Sequence, residues 1–147
     1  MKISLLFLFC IFSCSEWKNV KDVDGRVSRS IAVVCDAFVL RNYDKLFDFL
    51  AEEYKSATDK NSFMEVYKNF DSLSYVMKCH DIKSIKTDDK FYKVEIYVEQ
   101  NMHANTNSVL DERWDLPLEE RRYLDTTLFT WFFLKDKDVN WVGFEGM

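Results

Sequence analysis

The clearest pattern in the chain is a change of period. From Ser28 onward the apolar positions recur at helical spacing, with Ile31, Val34, Phe38 and Val39 on one stripe. Ser28 or Ser30 is available to cap the start of this helix, and Asn42 to end it or cap the next. In "NYDKLFDFLAEEYKS", Tyr43, Phe47, Leu50 and Tyr54 share a face while Asp44, Lys45, Asp48, Glu52 and Glu53 take the other, predicting a second helix. A third opens at "SFME", where Ser62 and Glu65 match a capping box, and presents Phe63, Val66, Tyr67 and Phe70. Past Leu73 the period becomes two. Tyr92, Val94, Ile96 and Val98 alternate with Lys93, Glu95, Tyr97 and Glu99, the pattern of a strand with one buried face. "YVMKCHDIKSIK" reads as its partner across the turn "TDDK". "TTLFTWFFLKDKDVNWVGF" reads as two strands around "KDKD". Phe129, Trp131, Phe132 and Phe133 blur the alternation there, so both faces are expected to be covered, the second by a partner or by sheet curvature. The intervening "HANTNSVLDERWDLPLEERRYLD" reads as a strand pair interrupted by a loop with Pro117 and one helical turn. Helices followed by an antiparallel meander predict an α+β domain with the helices on one face of the sheet.

The amino terminus follows another logic. Lys2 precedes an apolar run from Ile3 to Phe12 broken by Ser4. That run is short of the roughly 20 residues needed to span a bilayer, but it suits the apolar region of a secretion signal. Ile11-Phe12-Ser13-Cys14 resembles a bacterial lipobox, in which the chain is cut before the cysteine and its sulfur is acylated; Phe12 is bulkier than the usual residue at that place. Ser13-Cys14-Ser15 also offers an ordinary cleavage site, which would release a soluble chain beginning at Glu16. The expected organisation is a signal peptide over 1–13, a linker anchored through lipid at Cys14 over 14–27, and one domain over 28–147.

Composition narrows the functional classes. With 48% hydrophobic residues the chain is built to fold, and 13 Phe against 3 Gly and 1 Pro predict a core of large rings. The net charge is −5, and loss of Lys2 with the leader makes it more negative still. Such a balance lacks the electrostatic footprint of a nucleic-acid binder, and no polybasic run is present to hold the chain on anionic lipid. Membrane association is therefore expected to rest on the acyl group. Cys10 belongs to the leader and Cys14 to the anchor. Cys35 and Cys79 could pair in an oxidising compartment, but both lie in apolar-rich segments and are expected as buried, unpaired thiols. No cysteine or histidine spacing suggests a metal site, and no cofactor motif is present.

A helix ending in "FVLRNYDKLFDFLAEEYK", a short helix "KNSFMEVYKNF", long paired strands and a terminal "VNWVGF" together resemble the nuclear-transport-factor / ketosteroid-isomerase-like fold, and within it the small bacterial lipoprotein members. The resemblance runs from Ser28 to Phe144 and implies a curved sheet wrapped around a helix as a cone, often with a pocket at the open end. Catalytic members place an Asp, His or Tyr in that pocket. Here the candidates are Asp36, the one acid of the first helix after Ser28, and His103, at a strand end. Asp36 would be a base if it faced the interior and a solubilising residue if it faced water; the latter is expected. His103 is expected in a solvated loop, as is His80 on an exposed strand position. Trp114, set among acids and arginines, has the composition of a partner-contact surface, where Trp and Arg dominate binding, or else caps the core. The expected function is a lipid-anchored envelope protein that binds a partner protein or a small apolar ligand without catalysis. The alternatives are a small isomerase- or dehydratase-like enzyme and an acidic inhibitor of the immunity type.

Overall fold

The computed structural model describes residues 16–21, 24–103 and 122–145. Strand β1 (Lys18–Asn19) is followed by helices α1 (Gly25–Val39), α2 (Tyr43–Asp48), α3 (Glu52–Ser56) and α4 (Lys60–Leu73), then strands β2 (Ser74–Thr87), β3 (Phe91–His103), β4 (Arg122–Leu134) and β5 (Trp141–Glu145). The strands form one antiparallel sheet in sequence order, β1-β2-β3-β4-β5, so the α+β meander predicted from the periodicity is present.

Helix α1 begins at Gly25, earlier than its serines suggested, because Asp24 accepts a hydrogen bond from the Arg26 N–H at 2.8 Å. It turns Val27, Ile31, Val34, Ala37 and Phe38 onto the sheet. Asn42 caps α2 as expected, its side chain accepting from the Lys45 N–H. The long second helix predicted over Tyr43 to Tyr54 is instead two short ones. The chain leaves the helix at Leu50, which bridges to Trp141. There the Trp141 carbonyl accepts the Ala51 N–H at 2.8 Å, and the Trp141 N–H donates to the Phe49 carbonyl. Tertiary pairing with the start of β5 supplies partners that helix continuation would otherwise provide. As a result Tyr54 points away from the stripe it shares with Tyr43 in the sequence. In α4 the cap is Asp59, whose carboxylate takes both the Ser62 N–H and its hydroxyl at 2.8 Å. This displaces the Ser62/Glu65 box and starts the helix at Lys60.

The sheet has two unequal faces. Tyr92, Val94, Ile96 and Val98 of β3 line the inner face with Val76 and Ile85 of β2 and Phe129, Trp131 and Phe133 of β4, against α1, α2 and α4. Phe38 is the hub, stacked on Trp131 and edge-on to Tyr43, Tyr67, Trp141 and Phe144. On the outer face Phe91, Phe132 and Val142 form a second cluster with Ala51, to which Trp17, Tyr54 and Leu134 add their rings and methyls. The aromatic run of β4 is thus buried on both faces by the chain's own segments. Residues read as part of a linker take part: Asn19 pairs with Lys86, Val20 donates to the Ile85 carbonyl, and Trp17 lies 6.1 Å from the Phe132 ring. The ordered domain accordingly begins ahead of Ser28.

One further feature departs from expectation. Cys35 and Cys79 form a disulfide, with Cα atoms 6.2 Å apart, joining α1 to β2. The apolar surroundings that suggested free thiols are the packed interface between these elements, and that interface brings the two sulfurs together. Val139 has φ 52°, a conformation β-branched residues avoid; its side chain is buried in the inner core, and that packing holds the backbone there.

Candidate functional site

A cavity of about 30 Å³ lies between the inner face of the sheet and the ends of α1 and α4, lined by Phe38, Tyr43, Tyr67, Phe70, Asp71 and Gln100 among others. Its polar groups come from four elements. Tyr43, the first residue of α2, donates its hydroxyl to the Asp71 carboxylate near the end of α4. Gln100, buried on β3, donates to the Ser74 hydroxyl at 3.4 Å where α4 passes into β2. Asn101 donates to the Tyr75 hydroxyl at 3.0 Å, and the Arg41 guanidinium lies 4.8 Å from the Tyr75 ring centre. Arg41 has φ 53° and donates its N–H to the Phe38 carbonyl, ending α1 in the left-handed conformation that more often falls to glycine.

This arrangement is small and half open, and its hydrogen bonds are made within the protein except at the buried Asn101 Oδ1, which has no partner among the described residues. Its volume suits a water molecule or two, whereas pockets for small ligands run to about 300 Å³ or more. Burial, then the hydrogen bond to Asp71, raise the Tyr43 hydroxyl well above its ordinary value of 10.0. Burial does the same to Tyr67, and pushes Tyr54 on the other side of the sheet up to about 12. These hydroxyls stay protonated at neutral pH, and that of Tyr43 donates to Asp71. Because the folded values lie above the unfolded one, their contribution to stability is complete below about pH 10 and is lost as pH rises through the folded values. Denaturation midpoints measured across pH are therefore expected to hold to about pH 10 and fall by pH 12, with tyrosinate absorbance rising together with unfolding. Tyrosinate formation in a chain that stays folded would contradict this.

The residues singled out in the sequence are not brought together here. Asp36 is exposed on the outer side of α1, away from the cavity. His80 is also solvent-facing, with Nε2 3.4 Å from Glu99. His103 ends β3 opposite Arg122, and its side chain lies outside the described residues. Cys14 and Trp114 lie outside them as well. Tyr43, Asp71 and Gln100 were missed because their signals conflict. Tyr43 reads as stripe, Asp71 as surface charge, and Gln100 as the polar end of an alternating strand. Among the described residues no cluster of His, Cys, Asp and Glu could hold a metal ion, and no helix is long and apolar enough to cross a membrane. No protein-family model, curated protein or solved structure matches the chain.

Proposed function

We propose that this chain is a lipid-anchored protein of the bacterial cell envelope whose α+β domain, a cone of the nuclear-transport-factor type, binds a partner protein without catalysing a reaction. The observation that carries the reading is the Cys35–Cys79 disulfide. Such bonds persist in oxidising compartments and are rare in the cytosol, which agrees with a leader ending in a lipobox at Cys14. The small cavity favours a protein over the small apolar ligand, since the described interior is filled by aromatic rings. The partner surface is assigned to the connection between β3 and β4, residues 104–121, through Trp114.

The test has two halves. Protein expressed with its own leader should partition into detergent and carry a lipid mass on Cys14, and Cys14→Ser should move it to the aqueous phase. Trp114→Ala should leave the melting temperature nearly unchanged while weakening cross-linking to the envelope partner, because truncating an interfacial anchor costs about 2 kcal/mol or more of binding. Loss of about 3–5 kcal/mol of stability instead, the usual cost of emptying a buried ring site, would return Trp114 to the core and overturn the surface reading.

A further inference from the structure

The outer face of the sheet carries a charge pattern that the chain as a whole does not. Lys86 of β2 stands directly opposite Lys93 of β3, and Lys83 reaches to 3.9 Å of Glu95 on the same side. Lys78 stands opposite Glu99. Two lysines facing each other across strands repel and destabilise an isolated sheet. Their nearest carboxylate, Glu95, is shared between the Ser84 hydroxyl at 2.8 Å and the field of Lys83, Lys86 and Lys93. Four lysines thus stand among three carboxylates, Glu95, Glu99 and the exposed Asp81 in the bulge opposite Tyr97. The helical stretch 24–73 has the opposite bias, nine carboxylates against seven basic residues.

Beside the lysines the same face turns apolar. Leu128 stands opposite Tyr97, and Leu124 opposite Asn101. Leu124 is 58% exposed, Leu128 37% and Tyr97 38%. Trp17 lies on this face too, against Phe132, with the Lys93 ammonium 5.7 Å from its ring. Cys14 is three residues from Trp17, and three residues reach at most about 11 Å. An acyl chain on Cys14 therefore keeps Trp17, at one end of this face, within about 11 Å of the anchoring cysteine.

We infer that the outer face of the sheet is a membrane-docking surface, with Lys78, Lys83, Lys86 and Lys93 meeting anionic phospholipid headgroups and Tyr97, Leu124 and Leu128 entering the interface beside them. The inference rests on the lipid anchor proposed above. Its chemistry is that of interfacial binding, apolar side chains at the boundary plus basic residues over anionic lipid. Each lysine near such a surface strengthens association about fivefold. Docking would orient α1, α2 and α4, and the cavity between α1 and α4, away from the bilayer.

The test uses the full-length acylated protein in vesicles of phosphatidylcholine alone or with phosphatidylglycerol. With Cys14 acylated and Cys35 and Cys79 joined, an introduced thiol can be labelled selectively. Nitroxides at Thr126→Cys, on the outer face of β4, and at Glu65→Cys, exposed on α4, report access of an aqueous relaxation agent. On phosphatidylglycerol vesicles the label at 126 is expected to be several-fold less accessible than that at 65. The difference should shrink on phosphatidylcholine alone, and again when Lys83, Lys86 and Lys93 are all changed to Glu. Equal access at both positions on anionic vesicles overturns the inference. So does protection at 126 that arises only on adding envelope proteins, which would assign the face to a protein partner. Intact mass of the mature chain separates this from failure of the anchor. Without lipid on Cys14 the anchor reading falls and the docking inference with it; with lipid present and both labels exposed, the docking inference alone falls.

Discussion

Replacing Cys35 and Cys79 together with alanine is expected to lower the free energy of unfolding by about 4 kcal/mol, the chain-entropy value for a loop of this size. The bond closes a loop of 44 residues that contains α2, α3 and α4. Without it, the unfolded chain regains the freedom of that loop, while the folded chain still packs Val34 and Phe38 of α1 against the sheet. The effect thus acts mainly on the unfolded state, although packing of the two half-buried sulfurs adds to it. The midpoint of urea denaturation should fall for the double variant, and by a similar amount for the wild type unfolded in excess reductant. A midpoint insensitive to both treatments would show that the bond adds nothing to the fold. The result would also bear on localisation, since a domain dependent on this disulfide folds poorly where thiols are kept reduced.

Phe38→Ala is expected to cost about 3–5 kcal/mol, the range for removing a fully packed aromatic ring. Phe38 lies 5.8 Å from the Trp131 ring at an interplanar angle of 13°, and contacts Tyr43, Tyr67, Trp141 and Phe144 edge-on at centroid distances of 5.8 to 6.4 Å. Its loss therefore loosens α1, α2, α4, β4 and β5 at once. Phe38→Leu should cost less, because it retains most of the apolar volume. Val66→Ala on the exposed side of α4, where the valine is 49% accessible, should change stability by no more than about 0.5 kcal/mol. Chemical denaturation of the three variants side by side gives the ranking. A Phe38→Ala variant as stable as Val66→Ala would remove Phe38 from the centre of the core.

These two residues also show what a sequence can and cannot disclose. Phe38 is legible because it recurs with Ile31 and Val34 at helical spacing, a property of a short window that holds whatever the rest of the chain does. The pairing of Cys35, three residues earlier, is not legible. It depends on which residue of β2 passes beneath α1, and the register there is set by shifts on both sides of Cys79, one between Val76 and Lys78 and two between Cys79 and Ser84. The lysines of the outer face follow the same rule. Lys83, Lys86 and Lys93 are separated in the sequence by acids and apolar residues, so no polybasic run is visible, yet the turn at Thr87–Phe91 folds them onto one side.

Local pattern alone therefore determined that helices precede an antiparallel meander, the buried face of β3, the cap at Asn42 and the aromatic character of the core. It did so because periods of 3.6 and 2 and short-range caps are written into neighbouring residues. Tertiary structure decided where the second helix breaks, since Leu50 and Ala51 are claimed by Trp141, some 90 residues away. It also joined Trp17 and Tyr54 to Phe132, closed the disulfide, and set Tyr43 against Asp71. Each of these is a partnership between distant segments, chosen by sheet register and helix packing, and a window of neighbouring residues carries no record of it.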